Sequence, residues 1–134
     1  MTTPTDSRMG PGTLTLGTDE FGPQISNVRL SADNATEDGT KTLGDPTPAV
    51  MVTTTWTLAG TAIQDWTDVA GFVEYCRLNN NTTDTFSWVP VTDGPTFSGS
   101  CVVTAVEIGG DVGTQLTTDF EFVVTGALVR TEHV

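Results

Sequence analysis

The chain has 134 residues and a formal net charge of −12, from 17 acidic and 5 basic side chains. That length fits one domain whose core stands without disulfide or metal staples. Such acidity excludes tight binding to a phosphate backbone, which needs clustered Lys and Arg, and adhesion to an anionic membrane surface. Threonine is about a fifth of the sequence and valine is also frequent; both are β-branched and favour strands. Lys41 is the single lysine, and a chain short of Lys, Glu and Leu is a poor source of helix. A mainly β fold follows. The acidity has two readings: plain solubility, or a surface that repels a passing nucleic acid so that the polymer slides without sticking.

Residues 1–12 are rich in Thr, Pro and Gly and read as a flexible N-terminal arm that orders against something else. The main domain is placed at 13–126. Thr13 to Leu16 alternates polar and apolar residues and predicts a short strand. After a turn at 17–23, Ile25 to Ala32 predicts a second. The segment 33–48 carries one large apolar residue, Leu43, so it buries too little to fold alone. Loops longer than about 12–15 residues in a compact domain are usually functional or disordered; Asp38-Gly39 also suits the tip of a long exposed hairpin. Val50 to Ala59 is the clearest strand, with Val50, Val52, Trp56 and Leu58 on one face and a Thr-rich opposite face.

Asp65 reads as an N-cap, with the Asp68 carboxylate in the positive first turn. Trp66, Val69, Ala70, Val73 and Cys76 then recur at helical spacing, predicting a helix over 65–78 that ends at Asn79-Asn80-Asn81. Phe86 to Val91 predicts a strand whose end, or edge position, is marked by Pro90. Phe97 to Ile108 predicts a long central strand. Residues 114–125 alternate again, with Phe120 and Phe122 inward and Asp119 and Glu121 outward, and Gly126 is expected to break that strand before a tail over 127–134. The sum is a β-sandwich or barrel of about seven strands with one flanking α-helix. Trp56, Trp66, Phe120 and Phe122 are its expected core anchors.

Chemistry is hard to place. The single histidine, His133, is the penultimate residue and lacks the fixed, oriented setting that a general base or ligand needs. Cys76 and Cys101 fall on apolar stretches and read as small buried hydrophobes; two Cys and one distant His are too few for zinc. The acidic pairs Asp19-Glu20, Glu37-Asp38 and Asp119/Glu121 lie in polar surroundings, not in the apolar pocket that a general acid requires. The 33–38 loop misses the calcium-loop spacing, and Gly109-Gly110 precedes a strand instead of a helix, so it is no phosphate loop. No catalytic, cofactor or metal site is expected. The three N-x-T triplets starting at Asn34, Asn80 and Asn81 read as turn residues. The segment from Met1 to Arg8 has no apolar run suited to a secretion signal and no stretch suits a membrane span, so a soluble cytoplasmic product is expected.

Four features in this order resemble the major tail tube proteins of long-tailed bacteriophages. They are the acidic loop 33–48, the helix after a Thr-rich strand, the run Phe97-Ser98-Gly99-Ser100-Cys101-Val102-Val103-Thr104, and the glycine turn Gly109-Gly110-Asp111-Val112-Gly113 leading into the last strand. Together they span roughly residues 25–126. The resemblance implies a structural virion protein without enzyme activity. Six copies would join their sheets into rings, and rings would stack into a tube, assembled in the host cytoplasm, with DNA passing transiently and other tail proteins as partners. Within the loop, Asp33, Asn34, Glu37, Asp38, Gly39, Lys41, Leu43 and Asp45 would contact the next ring. Asp119 and Glu121 are the candidates for the bore. An immunoglobulin-like or carbohydrate-binding surface module, with Trp88 stacking on a sugar, and a related head–tail junction ring protein are the alternatives.

Overall fold

A computed structural model describes residues 7–47, 49–67 and 69–132. His133, Asp68 and the first six residues of the N-terminal arm, to which the sequence assigns roles, lie outside them. Among the described residues the chain forms β1 (Thr13–Leu16), β2 (Asp19–Glu20), a 3-10 turn (Gly22–Gln24), β3 (Ile25–Asp38), β4 (Val50–Ile63), α1 (Phe72–Leu78), β5 (Thr82–Val89), β6 (Thr96–Val103) and β7 (Thr117–Thr131). The strands make one antiparallel sheet in the order β2-β1-β5-β6-β7-β4-β3. The expected class, mainly β with one helix, is the observed one.

The sheet turns a corner within β7. Its first half, Thr117 to Val123, pairs with β4, and its second half, Val124 to Thr131, pairs with β6. A strand that changes partner in this way carries the chain from one layer of a sandwich to the other. Leu58, Ala62 and Val28 of one layer then share a buried cluster with Leu14, Leu16, Phe86, Cys101 and Val103 of the other. The helix is packed into this cluster through Phe72 and Cys76. The Phe72 ring centroid lies 5.0 Å from that of Phe120 and 6.2 Å from that of Phe122, and Phe21 meets it edge-on at 5.5 Å. Such aromatic contacts add about 0.5–1.5 kcal/mol each beyond area burial.

Five expectations are corrected. The helix starts at Phe72, not at Asp65, with Gly71 as its N-cap. A glycine inside a helix costs about 1 kcal/mol relative to alanine, and the Asp65 carboxylate accepts from the Thr67 amide and hydroxyl in a local turn. The first helical N–H, that of Phe72, donates instead to the Gln24 side chain, 2.9 Å away and 48 residues earlier. Trp66 therefore stands outside the helix stripe and is 58% exposed, so it is no core anchor.

The strand expected over 97–108 ends at Val103. There the Ala105 amide donates to the Asn80 side chain and the chain leaves the ladder. Gly126 does not end β7: with φ of +75° it continues the strand to Thr131 through a register shift between Ser98 and Ser100 of β6. Finally, residues 33–38 are strand and not loop. They pair with 50–55 in register from Asp33↔Thr55 to Asp38↔Val50. The described part of the N-terminal arm is tied down at Gly10 and Pro11, which bond the backbone of Pro90 and Thr92.

These positions separate two aromatic truncations. Phe122→Ala is expected to cost about 3–5 kcal/mol, and Trp66→Ala about 0.5 kcal/mol or less, in urea unfolding followed by circular dichroism.

Candidate assembly surfaces

The outer half of the β3–β4 hairpin is an arm. Asp33 to Asp38 and Val50 to Thr55 are exposed on both faces, and at about 3.3 Å per residue six paired residues extend about 20 Å. Its ladder is reinforced by the Thr54 hydroxyl, which donates to the Asn34 side chain at 2.6 Å. The tip is closed by reciprocal backbone bonds between Thr42 and Asp45, at 3.0 and 3.2 Å, and the Asp45 carboxylate accepts from the Thr47 amide. Leu43 and Lys41 are exposed beside that turn. The structure thus brings Asp33, Asn34, Glu37, Asp38, Gly39, Lys41, Leu43 and Asp45 together on one projection. The apolar alternation of β4 holds its period but not its cover: Val50, Met51 and Val52 are 57%, 64% and 63% exposed. The inward packing expected of Val50 and Val52 is therefore corrected; the second layer reaches only as far as Trp56.

Asp119 and Glu121 lie on the outer face of β7, exposed, opposite Thr61 and Ala59. The Thr61 hydroxyl donates to Asp119 Oδ1 at 2.8 Å. On β3, Arg29 follows Ala59 in the same cross-strand row as Glu121. Phe120 and Phe122 point the other way into the core, and Trp56 packs against it.

The sequence gives no warning of Gln64. Its Nε2 donates to the carbonyls of Gly109 and Thr117, at 3.1 and 2.9 Å, while its Oε1 accepts from the Gly109 amide and from Trp66 Nε1, both at 3.0 Å. All four hydrogen-bonding positions of the amide are used. One side chain thereby fixes the 104–116 connection to the end of β4 and tethers the exposed indole. A glutamine between strand and turn carries no local signal of partners 45 and 53 residues away.

The buried polar groups are positioned for structure. Tyr75 donates its hydroxyl to Asp84, and burial followed by that hydrogen bond pushes the phenol well above its ordinary range. Burial, with Cys101 nearby, pushes the Cys76 thiol up to about 12; burial, with Asp84 nearby, does the same for Cys101. On the surface the Arg77 hydrogen bond holds Glu74 below the usual carboxylate range. Glu20 spends its carboxylate on the amides of Leu14 and Gly22. Among the described residues no three His, Cys, Asp or Glu side chains cluster as metal ligands. A cavity of about 160 Å³ opens between β1 and β3, and a groove of about 350 Å³ lies at the foot of the arm. Neither is lined by a carboxylate, a histidine or a cysteine.

What the arrangement offers is surface for contact: an acidic projecting arm, an acidic row on the outer face and two open sheet edges. Solved structures contain the same architecture. A chain in the tail of an empty gene transfer agent particle, refined helically with C6 symmetry, superposes with a TM-score of 0.58 at 16% identity, over 81% of this chain and 82% of that one. The fold is one found in a particle tail. A chain in the virion of a native gene transfer agent particle matches with the same TM-score and identity, over 81% of this chain and 85% of its own. No protein-family model and no curated protein matches the sequence.

The thiols give a test of the packing. An ordinary thiol ionises near 9, so the unfolded chain releases protons that the folded chain retains until about 12. Stability is full below about pH 9 and falls as pH rises toward 12. The urea midpoint is expected to drop between about pH 8 and about pH 10.5, with a smaller drop in the Cys76→Ala/Cys101→Ala variant. At neutral pH neither thiol should react with an alkylating reagent until the protein is unfolded.

Proposed function

We propose that the chain is the structural subunit of a phage-like tail tube. Six copies close a ring, rings stack through the arm, and DNA passes along the bore. The observation that carries this is the fold, matched over 81% of the chain by a chain of a tail with C6 symmetry. The arm supports it independently. A paired, apolar-bearing projection of about 20 Å with no layer over it is poorly suited to an isolated monomer and well suited to burial against a neighbour. The residues from Asp33 to Asp45 that project there are the inter-ring contact in this reading.

The acidic row gives the bore. Asp119 and Glu121 stand exposed on strand positions, and a bore lined by carboxylates repels the phosphate backbone, so DNA slides without being held. The open edges of β2 and β3 are templates for pairing; a ring of symmetric copies closes them. Other tail proteins would cap and measure such a tube, which places the protein in the virion after assembly in the host cytoplasm.

Negative-stain electron microscopy of the purified protein tests the reading: rings or tubes are expected, whereas a strict monomer that binds glycans would favour a surface module. Replacing residues 34–54 by Asn-Gly joins Asp33 to Thr55, a register pair, through a two-residue hairpin turn. That variant should keep the near-UV spectrum of a folded domain and form no tubes. Normal tubes from it would remove the arm from the contact. Asp119→Asn/Glu121→Gln should fold and assemble as the parent does, because neither carboxylate is buried; unfolding of this double variant would be incompatible with a water-facing row.

A further inference from the structure

Two apolar surfaces of this chain stand open, and they lie on one continuous face. Opposed residues of an antiparallel pair share a face and alternate residues return to it. Val52 and Val50 therefore continue outward the row of Leu58 and Trp56 that faces the core. Past Trp56 that row has no second layer over it. At the foot of the arm the same face opens into the groove of about 350 Å³ walled by Leu30, Trp56, Trp88, Phe97 and Leu128, with Arg29 at its side. The rings of Trp88 and Phe97, 5.7 Å apart, give it an aromatic wall.

We propose that Val50 and Val52 of one copy dock into this groove on a second copy, where Arg29 meets the carboxylate of Asp38, the residue opposite Val50 on the same face of the arm. The proposal rests on the tail-tube reading and names the surface that receives the arm. The donor cannot be the same chain. β3 and β4 are paired without a break from the groove to Val50, so the arm leads away from its own foot and returns only if the ladder is broken. Donor and acceptor patches differ, so the contact is head to tail and repeats from copy to copy.

Charge selects the same surface. A chain of net charge −12 repels its own copies unless the contact sets a cation against the acids of the arm. Among the described residues Arg77 is paired with Glu74 and Arg130 with Glu132; Arg8, Arg29 and Lys41 are in no ion pair, and of these three only Arg29 lines the groove. The groove walls carry no carboxylate. The groove is thus an apolar surface on which an acidic arm meets positive instead of negative charge.

Two variants of the full chain with one added cysteine each, Val52→Cys and Leu128→Cys, test the docking when mixed under a mild oxidant, since the native thiols are buried. A disulfide-linked dimer containing one of each variant is the expected product. Arg29→Glu should raise the protein concentration needed for assembly by about tenfold or more, and adding Asp38→Lys to the same chain should restore it. Tubes that form without the mixed cross-link, or an Arg29→Glu variant that assembles as the parent does, overturn the docking and leave the tube reading standing. A monomer at every concentration, with no cross-link, overturns both. An oligosaccharide that shifts the tryptophan fluorescence, with no cross-link formed, makes the groove a sugar site and likewise overturns the docking.

Discussion

The fold depends on one strand doing two jobs. β7 is hydrogen-bonded to β4 along its first half and to β6 along its second, so both layers of the sandwich are joined through a single backbone. Its alternation must stay in phase across the corner, because a slip of one residue would put Asp119 and Glu121 into the core and Phe120 and Phe122 into water. The helix docks on that inward row, and the Phe21, Phe72, Phe120 and Phe122 rings interlock where layer, helix and turn meet. Gly126 adjusts the strand beyond the corner at a positive φ that any side chain would strain. The position of the helix, the outward aim of the acidic row and the closure of the core all follow from this phase.

What the sequence makes legible is local periodicity, and what it hides is distant partners. The alternation from Thr118 to Val124 places Phe120, Phe122 and the acidic pair on their observed faces, and Pro90 marks the end of β5. The helix start is misread because Trp66, Val69 and Ala70 keep helical spacing with Val73 and Cys76 across Gly71. The side chain that accepts the first helical N–H, that of Gln24, is far away in the chain, so no local pattern announces it. The same holds for Gln64, whose bonds fix the 104–116 connection. Val50 and Val52 teach a different lesson: alternation tells which face a side chain takes, but not whether a second layer covers it. The arm reads as buried strand on one side and as loop on the other, and it is neither.

Acidity and stability are kept apart in this molecule. The described carboxylates stay at or near the surface, where water screens them, except Asp84, which is half-buried against Tyr75, while the buried cluster is made of aromatic, aliphatic and thiol groups. In a tube built as proposed, charge would keep copies and nucleic acid at a distance without weakening the core. Contact between copies would then be selective, since only surfaces that bear one of the few cations are spared repulsion. Arg29, beside an apolar groove and unpaired within its own chain, is where those two requirements coincide.

The continuous pairing of β3 with β4, from Asp38↔Val50 down to Asn27↔Thr61, has a mechanical consequence. A pull along the arm loads that ladder parallel to its strands, so its cross-strand bonds are sheared together and not unzipped one after another. The tension then passes sideways through β4 into β7 and so into both layers. A filament joined through such arms would stretch as a stiff cable does, with the strain shared across each subunit instead of concentrated at a flexible tether.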